Sequence, residues 1–338
     1  MARDPADRIS AVDPARALKT LSPDERGRLW PSEGSPRTAS RRRLRPAPVS
    51  TRVRSFEPFS PMKAAARPIA ATVCGAQARG MDLVCTHVIE SVAWLTIASP
   101  PVNALSVALI ESLEAALAAQ QPPEVRAIVI RAAPGSRVFS AGHDVNELPR
   151  NGRDPLTYND PLRTVVRRIE AHPAPVIAMV EGSVWGGACE VVLSCDLVVA
   201  AIDSTFALTP ARLGVPYNLS GTLNLLKVAD MHFVKEMLFA ARPMPAVRMA
   251  SAGVLNRVVP ADELEATTTA LARDITSASP LVHRIMKEEL RVLANAHPMT
   301  PEAHERIQAL RREVYDSKDY QEGLRAFDEK RRPTFGGS

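Results

Sequence analysis

The chain has 338 residues, of which 46% are hydrophobic, so it is long enough for one large domain or two smaller ones with a substantial core. Its net charge of +5 originates in the first 80 residues, and the remainder is mildly acidic, so we expect no nucleic-acid binding by that remainder. The sequence contains no apolar run of membrane-spanning length and no secretory hydrophobic segment near its start, so we expect a cytoplasmic protein that does not bind membranes.

Residues 1–80 differ in composition from the rest. They are rich in proline and arginine, as in the run Arg41-Arg42-Arg43-Leu44-Arg45, and they bury too little apolar surface to offset the entropy of ordering. We predict a disordered basic extension, or a coding start placed upstream of a natural one at Met81. The alternatives are a basic arm that binds RNA or a membrane surface, and a transit peptide, for which the segment has too many acidic residues.

From Met81 onward, strand and helix signals alternate at short intervals, which predicts an α/β fold. The apolar spacing Leu109, Leu113, Leu117 behind Ser106 predicts a helix with a serine cap. The other predicted elements of this part are strands at 83–88, 92–97, 127–130, 176–180, 197–201 and 205–207, and helices at 161–171 and 190–194.

The chain beyond residue 219 is predicted to be mostly helical, because prolines separate a series of helical patterns. We place a core domain at 81–275 and a C-terminal helical domain at 276–338. The predicted elements are a strand at 257–259 and helices at 219–228, 231–240, 246–252, 261–277, 280–296, 301–315 and 318–329.

Four cysteines, Cys74, Cys85, Cys189 and Cys195, show no spacing typical of metal ligands. We expect free thiols in a reducing compartment and no metal site.

Two glycine-bearing segments carry the chemistry: Phe139-Ser140-Ala141-Gly142-His143-Asp144, and the run from Glu181 through Trp185-Gly186-Gly187-Ala188-Cys189 to Glu190. Each follows an apolar run and leads towards a helix start, where backbone N–H groups lack intrahelical partners. Two such groups aimed at one point can stabilise an oxygen that becomes negative during a reaction. Glycine lets the reacting group approach the backbone closely. These segments therefore predict an oxyanion hole.

These two segments, together with Ser204-Thr205-Phe206 and the C-terminal stretch 321–331, resemble the enoyl-CoA hydratase/isomerase (crotonase) superfamily over residues 81–333. The resemblance implies a superhelix of ββα units with a C-terminal helical trimerisation domain. It also implies assembly as a homotrimer or a dimer of trimers.

The resemblance further implies that the backbone N–H groups of His143 and Gly187 form the oxyanion hole for a coenzyme A thioester. Coenzyme A is then part of the substrate, and no separate cofactor is expected. The residues implied to contact coenzyme A, the last two from the same or a neighbouring subunit, are Asn103, Ala104, Leu105, Ala141, Phe327 and Lys330.

The reaction depends on which acid–base groups are present. Hydratases of the family use two glutamates; Glu190 occupies the first position, but Pro210 occupies the second. Because proline has no acid–base function, the carboxylate pair needed for hydration is absent. Loss of carbon dioxide from a malonyl-type thioester needs no base, and the hydroxyl of Tyr217 can hold the departing carboxylate without neutralising it.

Long runs such as 138–144, 152–156, 179–187 and 213–219 resemble the family members that decarboxylate methylmalonyl-CoA, which implies propionyl-CoA as the product. Hydration, isomerisation or thioester hydrolysis on the same scaffold is the nearest alternative. An RNA-binding protein that uses its basic arm beside an idle domain is the second. The side-chain roles of His143 and Glu190 stay open, as does the choice between pocket wall and core for Trp185.

Overall fold

The strands that carry the predicted oxyanion loops belong to two separate sheets. The computed structural model describes residues 83–147, 160–295 and 300–336, all within one unit of the chain, 65–338. The predicted extension at 1–80, the start at Met81 and the run 152–156 lie outside the described residues.

The first sheet is built from the long apolar runs of the sequence. Its strand order is β1-β2-β3-β5-β7-β10, with β1 antiparallel to β2 and every other pair parallel. The strands are β1 Val84–Ile89, β2 Val92–Ile97, β3 Ala127–Ala132, β5 Val176–Val180, β7 Leu197–Ala201 and β10 Arg257–Val259.

Successive side chains along these strands point to opposite faces of the sheet, and both faces are buried. On β3, for example, Ile128 and Ile130 face the main core, whereas Ala127 and Val129 face a second cluster. That second cluster also contains Leu264 and Ala272 from a C-terminal helix. The first sheet is therefore covered on its two sides, and its predicted strands are confirmed.

The second sheet consists of very short strands in the order β4-β6-β8-β9. Only β8, at 205–207, was predicted, because a segment of two or three residues is too short to show a periodic pattern. The strands are β4 Val138–Ser140, β6 Ser183–Trp185, β8 Thr205–Ala207 and β9 Met244–Pro245.

A long strand followed by a short strand occurs three times, as β3–β4, β5–β6 and β7–β8, and each pair leads into a helical segment. Successive units are neighbours in both sheets, so the three units wind in one direction. This arrangement is the predicted ββα superhelix.

The helices agree with the predicted series, with three differences. Ser106 caps the helix Val107–Ala119 by accepting a hydrogen bond from Leu109 N at 3.3 Å. The helix predicted at 190–194 begins at Gly187, the one predicted at 231–240 changes to a π-helical turn after Lys235, and a short 3-10 turn precedes the helix Leu264–Ser277. The helices are α1 Val107–Ala119, α2 Pro161–Ala171, α3 Gly187–Leu193, α4 Leu219–Val228, α5 Met231–Lys235, α6 Ala246–Ser251, α7 Leu264–Ser277, α8 Pro280–Ala294, α9 Pro301–Tyr315 and α10 Lys318–Asp328.

The cysteines differ in state. Cys85 is disulfide-bonded, so the prediction of a free thiol is wrong there. Cys189 and Cys195 are free and buried, and burial raises the pKa of the Cys189 thiol to about 12 and that of Cys195 further still. Thiols with such raised pKa values are poor nucleophiles.

None of the described helices has both the length and the apolar character needed to cross a membrane. The same part of the chain contains no group of three or more His, Cys, Asp and Glu side chains that could hold a metal ion.

Candidate active site

The two glycine loops meet because the short strands before them are parallel neighbours. β4 pairs with β6, so the carboxyl ends of both strands lie at one edge of the second sheet. Gly142 follows β4 with φ +82, and a Cβ added to it would lie 3.2 Å from Gly187 N and would overlap the carbonyl oxygen of Trp185. Only glycine allows this contact between the two loops.

The backbone N–H of His143 is left unbonded by the pairing of its loop with Leu105. Leu105 N donates to Gly142 O at 2.8 Å, and Asp144 N donates to Leu105 O at 3.3 Å. This parallel bridge uses the residues on either side of His143. Within the described part of the chain, the His143 N–H has no backbone acceptor.

Gly187 supplies the second N–H group because it is the first residue of α3. The described residues offer no backbone acceptor for it, as expected for the first turn of a helix. A Cβ placed on Gly187 would lie 3.7 Å from His143 N. The two unbonded N–H groups are thus close enough to serve a single oxygen atom.

A cavity of about 120 Å³ lies in front of these groups. It brings together His143, Gly187, Tyr217, Ala141 and Pro210. None of the described residues that line it carries a carboxylate. The other lining residues are Val145, Leu162, Gly186, Thr209, Leu213, Val215, Pro216, Asn218 and Tyr315.

Tyr217 is held against the first turn of α4. A Cβ on Gly221 would lie 2.8 Å from Cε1, Cζ and Oη of Tyr217, so the ring occupies space that only glycine leaves free. Burial raises the pKa of Tyr217 well above its usual value, and the nearby charge of Glu190 adds to this effect. The phenol therefore stays neutral and remains a hydrogen-bond donor.

Glu190 is near Tyr217 but is not among the described residues that line the same cavity. It is 2% exposed, and its Oε2 accepts a hydrogen bond from Asn218 Nδ2 at 2.5 Å. Asn218 Oδ1 in turn accepts from Gly221 N at 2.7 Å. Glu190 therefore anchors the residue that follows Tyr217 in the chain.

The environment of Glu190 also affects its protonation. Burial raises its pKa to about 7, although the hydrogen bond from Asn218 opposes the shift. Its Oε1 is buried and has no hydrogen-bond partner among the described residues. Glu190 also lines a second cavity of about 220 Å³, together with Arg163 and Ser220. A substantial fraction of Glu190 is consequently protonated near neutral pH.

His143 also contributes a side chain to the site region. Its Nδ1 is buried and has no hydrogen-bond partner within the described ranges. Burial raises the pKa of Asp160, the cap of α2, while its interaction with His143 lowers it.

The residues implied to contact coenzyme A are placed differently. Ala141 is exposed and lines the cavity, and Leu105 holds the His143 loop. The side chain of Asn103 is already engaged, with Oδ1 accepting from Ser99 N at 2.9 Å and Nδ2 donating to Phe139 O at 3.0 Å. These bonds fix the turn that also contains Ala104, and contact of Asn103 and Ala104 with coenzyme A stays a prediction.

Phe327 and Lys330 lie at the end of α10, where both are exposed. Neither is among the described residues that line the cavity. Their contact with coenzyme A stays a prediction. Trp185 contacts Gly142 through its backbone, and its indole Nε1 donates to Ser183 Oγ at 2.9 Å.

Three residues at this site were missed by the sequence analysis: Asn218, Gly221 and Tyr315. The run Arg311-Arg312 is typical of a solvated helix face or of a contact for the phosphates of coenzyme A, whereas Arg311 is buried. Asn218 caps α4, and an asparagine before a helical pattern is a recognisable signal. Arg311 and Tyr315 are on α9, far along the chain, and their pattern is that of an ordinary helix face.

The sequence of residues 88–338 matches the family profile described as enoyl-CoA hydratase/isomerase. The chain belongs to the enoyl-CoA hydratase/isomerase family. This confirms the resemblance drawn from the two glycine segments, and with it the crotonase-type fold.

Curated relatives of this family member include a protein of Escherichia coli K12 named methylmalonyl-CoA decarboxylase. It is 54% identical over 235 residues, which cover 70% of this chain and 90% of the relative. A human relative, enoyl-CoA hydratase domain-containing protein 3, mitochondrial, is 35% identical over 242 residues, or 69% of this chain and 76% of the relative.

Solved structures of methylmalonyl-CoA decarboxylase resemble the fold described here. The complex with 2S-carboxypropyl-CoA has a TM-score of 0.75 and 50% identity, and covers 77% of this chain and 100% of that one. The complex with 2-nitronate-propionyl-CoA has a TM-score of 0.74 and 51% identity, with 76% and 99% covered. The predicted membership of an enzyme superfamily is therefore confirmed.

Proposed function

We propose that this family member decarboxylates methylmalonyl-CoA to propionyl-CoA. The observation that carries the proposal is a cavity with two unbonded N–H groups, from His143 and Gly187, lined also by the neutral Tyr217 and by no carboxylate of the described residues. The likeness to the Escherichia coli decarboxylase supports the substrate assignment.

The reaction divides into two steps with different needs. In the first, the bond between C2 and the carboxylate carbon breaks, carbon dioxide leaves, and the electron pair enters the thioester as an enolate. The thioester oxygen becomes negative, and the N–H groups of His143 and Gly187 stabilise that charge. Removing one such donor typically costs an enzyme roughly 3 kcal/mol of transition-state stabilisation. In the second step, a proton from solvent is added to C2.

Tyr217 orients the substrate carboxylate. The breaking bond must stand perpendicular to the thioester plane so that its electrons overlap the carbonyl. A neutral phenol can hold one carboxylate oxygen in that orientation without offsetting the negative charge. An arginine or lysine would stabilise the charged ground state and oppose the loss of carbon dioxide.

Glu190 has a supporting role in this proposal. Its hydrogen bond to Asn218 fixes the start of α4, on which the Tyr217 ring rests. Hydration of an enoyl thioester is the competing function, because Glu190 is a buried carboxyl with a pKa of about 7. Pro210 lines the cavity at the position of the second carboxylate that hydration uses, which favours decarboxylation.

Substrate conversion distinguishes these functions. Purified protein is incubated separately with methylmalonyl-CoA and crotonyl-CoA, and the products are followed by mass spectrometry. We expect propionyl-CoA from the first substrate, well above the rate without enzyme, and little hydration of the second. Efficient hydration that is lost in Glu190→Gln, without formation of propionyl-CoA, would overturn the proposal.

We further propose that the protein assembles as a trimer or a dimer of trimers. Support comes from α8, whose exposed apolar side chains form a face suited to burial against another subunit. These side chains are Leu281, Val282, Ile285, Met286, Leu290 and Leu293. Light scattering coupled to size-exclusion chromatography tests the assembly, and a monomer at micromolar concentration contradicts it.

A cytoplasmic location and a reaction without a separate cofactor remain predictions. The second is tested by dialysis against a chelator followed by the conversion assay. We expect the rate of propionyl-CoA formation to be unchanged, because coenzyme A enters as part of the substrate. Lost activity that returns on adding a metal ion would contradict this.

A further inference from the structure

A buried arginine from the C-terminal helical region contacts the backbone of Tyr217. Arg311 on α9 is 5% exposed, and its Nη1 donates to the carbonyl oxygen of Tyr217 at 2.6 Å. The two residues are 94 positions apart in the sequence. Hydrogen bonds from charged donors are stronger than bonds between neutral groups.

The turn before Tyr217 is also fixed by the C-terminal region. A Cβ on Gly214, which has φ +64, would lie 2.5 Å from the carbonyl oxygen of Asp319. A Cβ on Gly323 would collide with the carbonyl of Leu213. The backbone of the 3-10 turn Pro210–Leu213 therefore lies directly against α10.

The segment that carries Tyr217 is consequently fixed at three points. α10 packs against the turn before it, Arg311 binds its carbonyl, and Glu190 binds the side chain of Asn218 after it. Only the second of these contacts acts on the peptide group of Tyr217 itself. A rotation of that peptide group therefore changes the direction in which the side chain of Tyr217 leaves the backbone.

We propose that Arg311 is a positioning residue that sets the orientation of the Tyr217 hydroxyl. The C-terminal helical region thereby takes part in aligning the substrate carboxylate. This inference rests on the proposed decarboxylation. Alignment of a reacting group is sensitive to displacements of about 1 Å, which can cost on the order of 100-fold in rate. Arg311 itself is not among the described residues that line the cavity.

A double-mutant cycle on decarboxylation tests the coupling. The variants are Arg311→Met, Tyr217→Phe and the two combined. Arg306→Met is the matched control, because Arg306 is on the same helix and exposed. We expect Arg311→Met to lower kcat about tenfold or more with KM changed by less than about threefold, since positioning acts on the transition state.

The decisive result is whether the effect of Arg311→Met on kcat depends on the Tyr217 hydroxyl. In the Tyr217→Phe background, Arg311→Met should change kcat by less than about threefold, because the hydroxyl it orients is absent. Arg311→Lys keeps one charged donor and should recover most of the lost rate. Arg306→Met should match the wild type. Equal losses from Arg311→Met in both backgrounds, or no loss in either, overturn the inference.

Two further outcomes are separated by the same set of variants. If Arg311→Met does not fold, Arg311→Gln, which is polar but has no charge, replaces it in the cycle, and the loss it causes must again vanish in the Tyr217→Phe background. If the wild type forms no propionyl-CoA, the proposed function fails, and the inference about Arg311 falls with it. A wild type that is active but shows an additive cycle overturns the Arg311 inference alone.

Discussion

The phenol ring of Tyr217 rests on Gly221, four residues further along the chain in the first turn of α4. Gly221→Ala would place a methyl carbon 2.8 Å from the ring and its hydroxyl, so the side chain must move. We predict a fall in kcat of about tenfold or more, although alanine improves helix propensity by about 1 kcal/mol.

Two measurements distinguish displacement of Tyr217 from general damage. Thermal unfolding should show a Tm close to that of the wild type, while steady-state kinetics show the lower kcat. A Gly221→Ala variant with wild-type kcat would mean that the ring can shift without affecting catalysis.

The contact between the two glycine loops can be tested by a matched pair of substitutions. Gly142 and Gly135 both have positive φ, +82 and +78, so alanine costs backbone strain of roughly 1–2 kcal/mol at either position. At Gly142 the new Cβ also overlaps the Trp185 carbonyl, whereas at Gly135 it meets no atom within 4 Å. Gly142→Ala should therefore lower the rate of decarboxylation by about 100-fold or more, which is the loss typical of removing one hydrogen-bond donor from an oxyanion hole.

Gly135→Ala is the control for strain alone, and its kcat should stay within about twofold of the wild type because Gly135 is not among the described residues that line the cavity. The measurement is kcat for decarboxylation in both variants at the same enzyme concentration. Similar losses in the two would show that the activity responds to backbone strain and not to the geometry of the oxyanion hole.

Glu190 should make the stability of the fold depend on pH. Its pKa rises from 4.5 to about 7 on burial, so the folded protein holds this proton more tightly than the unfolded chain. The resulting stabilisation is full below about pH 4.5 and is lost as pH rises through about 7. The difference corresponds to roughly 3 kcal/mol at most.

Glu190→Gln keeps an oxygen that can accept from Asn218 but does not titrate. Urea unfolding at pH 4.5 and pH 8, at a fixed protein concentration, should therefore show a smaller loss of unfolding free energy in the variant than in the wild type. An equal loss in both proteins would contradict a strongly raised pKa for Glu190.

The sequence was informative wherever one short segment carried the physical signal. The apolar runs predicted the first sheet, and Ser106 before Leu109 predicted the capped start of α1. The glycine-bearing segments indicated an oxyanion hole, and the family resemblance implied His143 and Gly187 as its donors, which stays a prediction. In each case the determinants lie within a few residues of one another.

The sequence was less informative about contacts between distant segments. The strands β4 and β6, which bring the two glycine loops together, have three residues each and show no pattern of their own. The start of α3 was placed three residues late for the same reason, since the chain passes from β6 to α3 within two residues. The bond from Arg311 to Tyr217 spans 94 residues and has no local signature.

In the proposed mechanism, Tyr217 orients a carboxylate that departs as carbon dioxide. The most direct test is single-turnover release of carbon dioxide from methylmalonyl-CoA by the wild type and by Tyr217→Phe, each in excess over the substrate so that all of the substrate is bound. We predict release by the wild type with propionyl-CoA in equal amount, and a rate lower by about tenfold or more in the variant. No release by the folded wild type, or equal rates in the two proteins, would contradict the account.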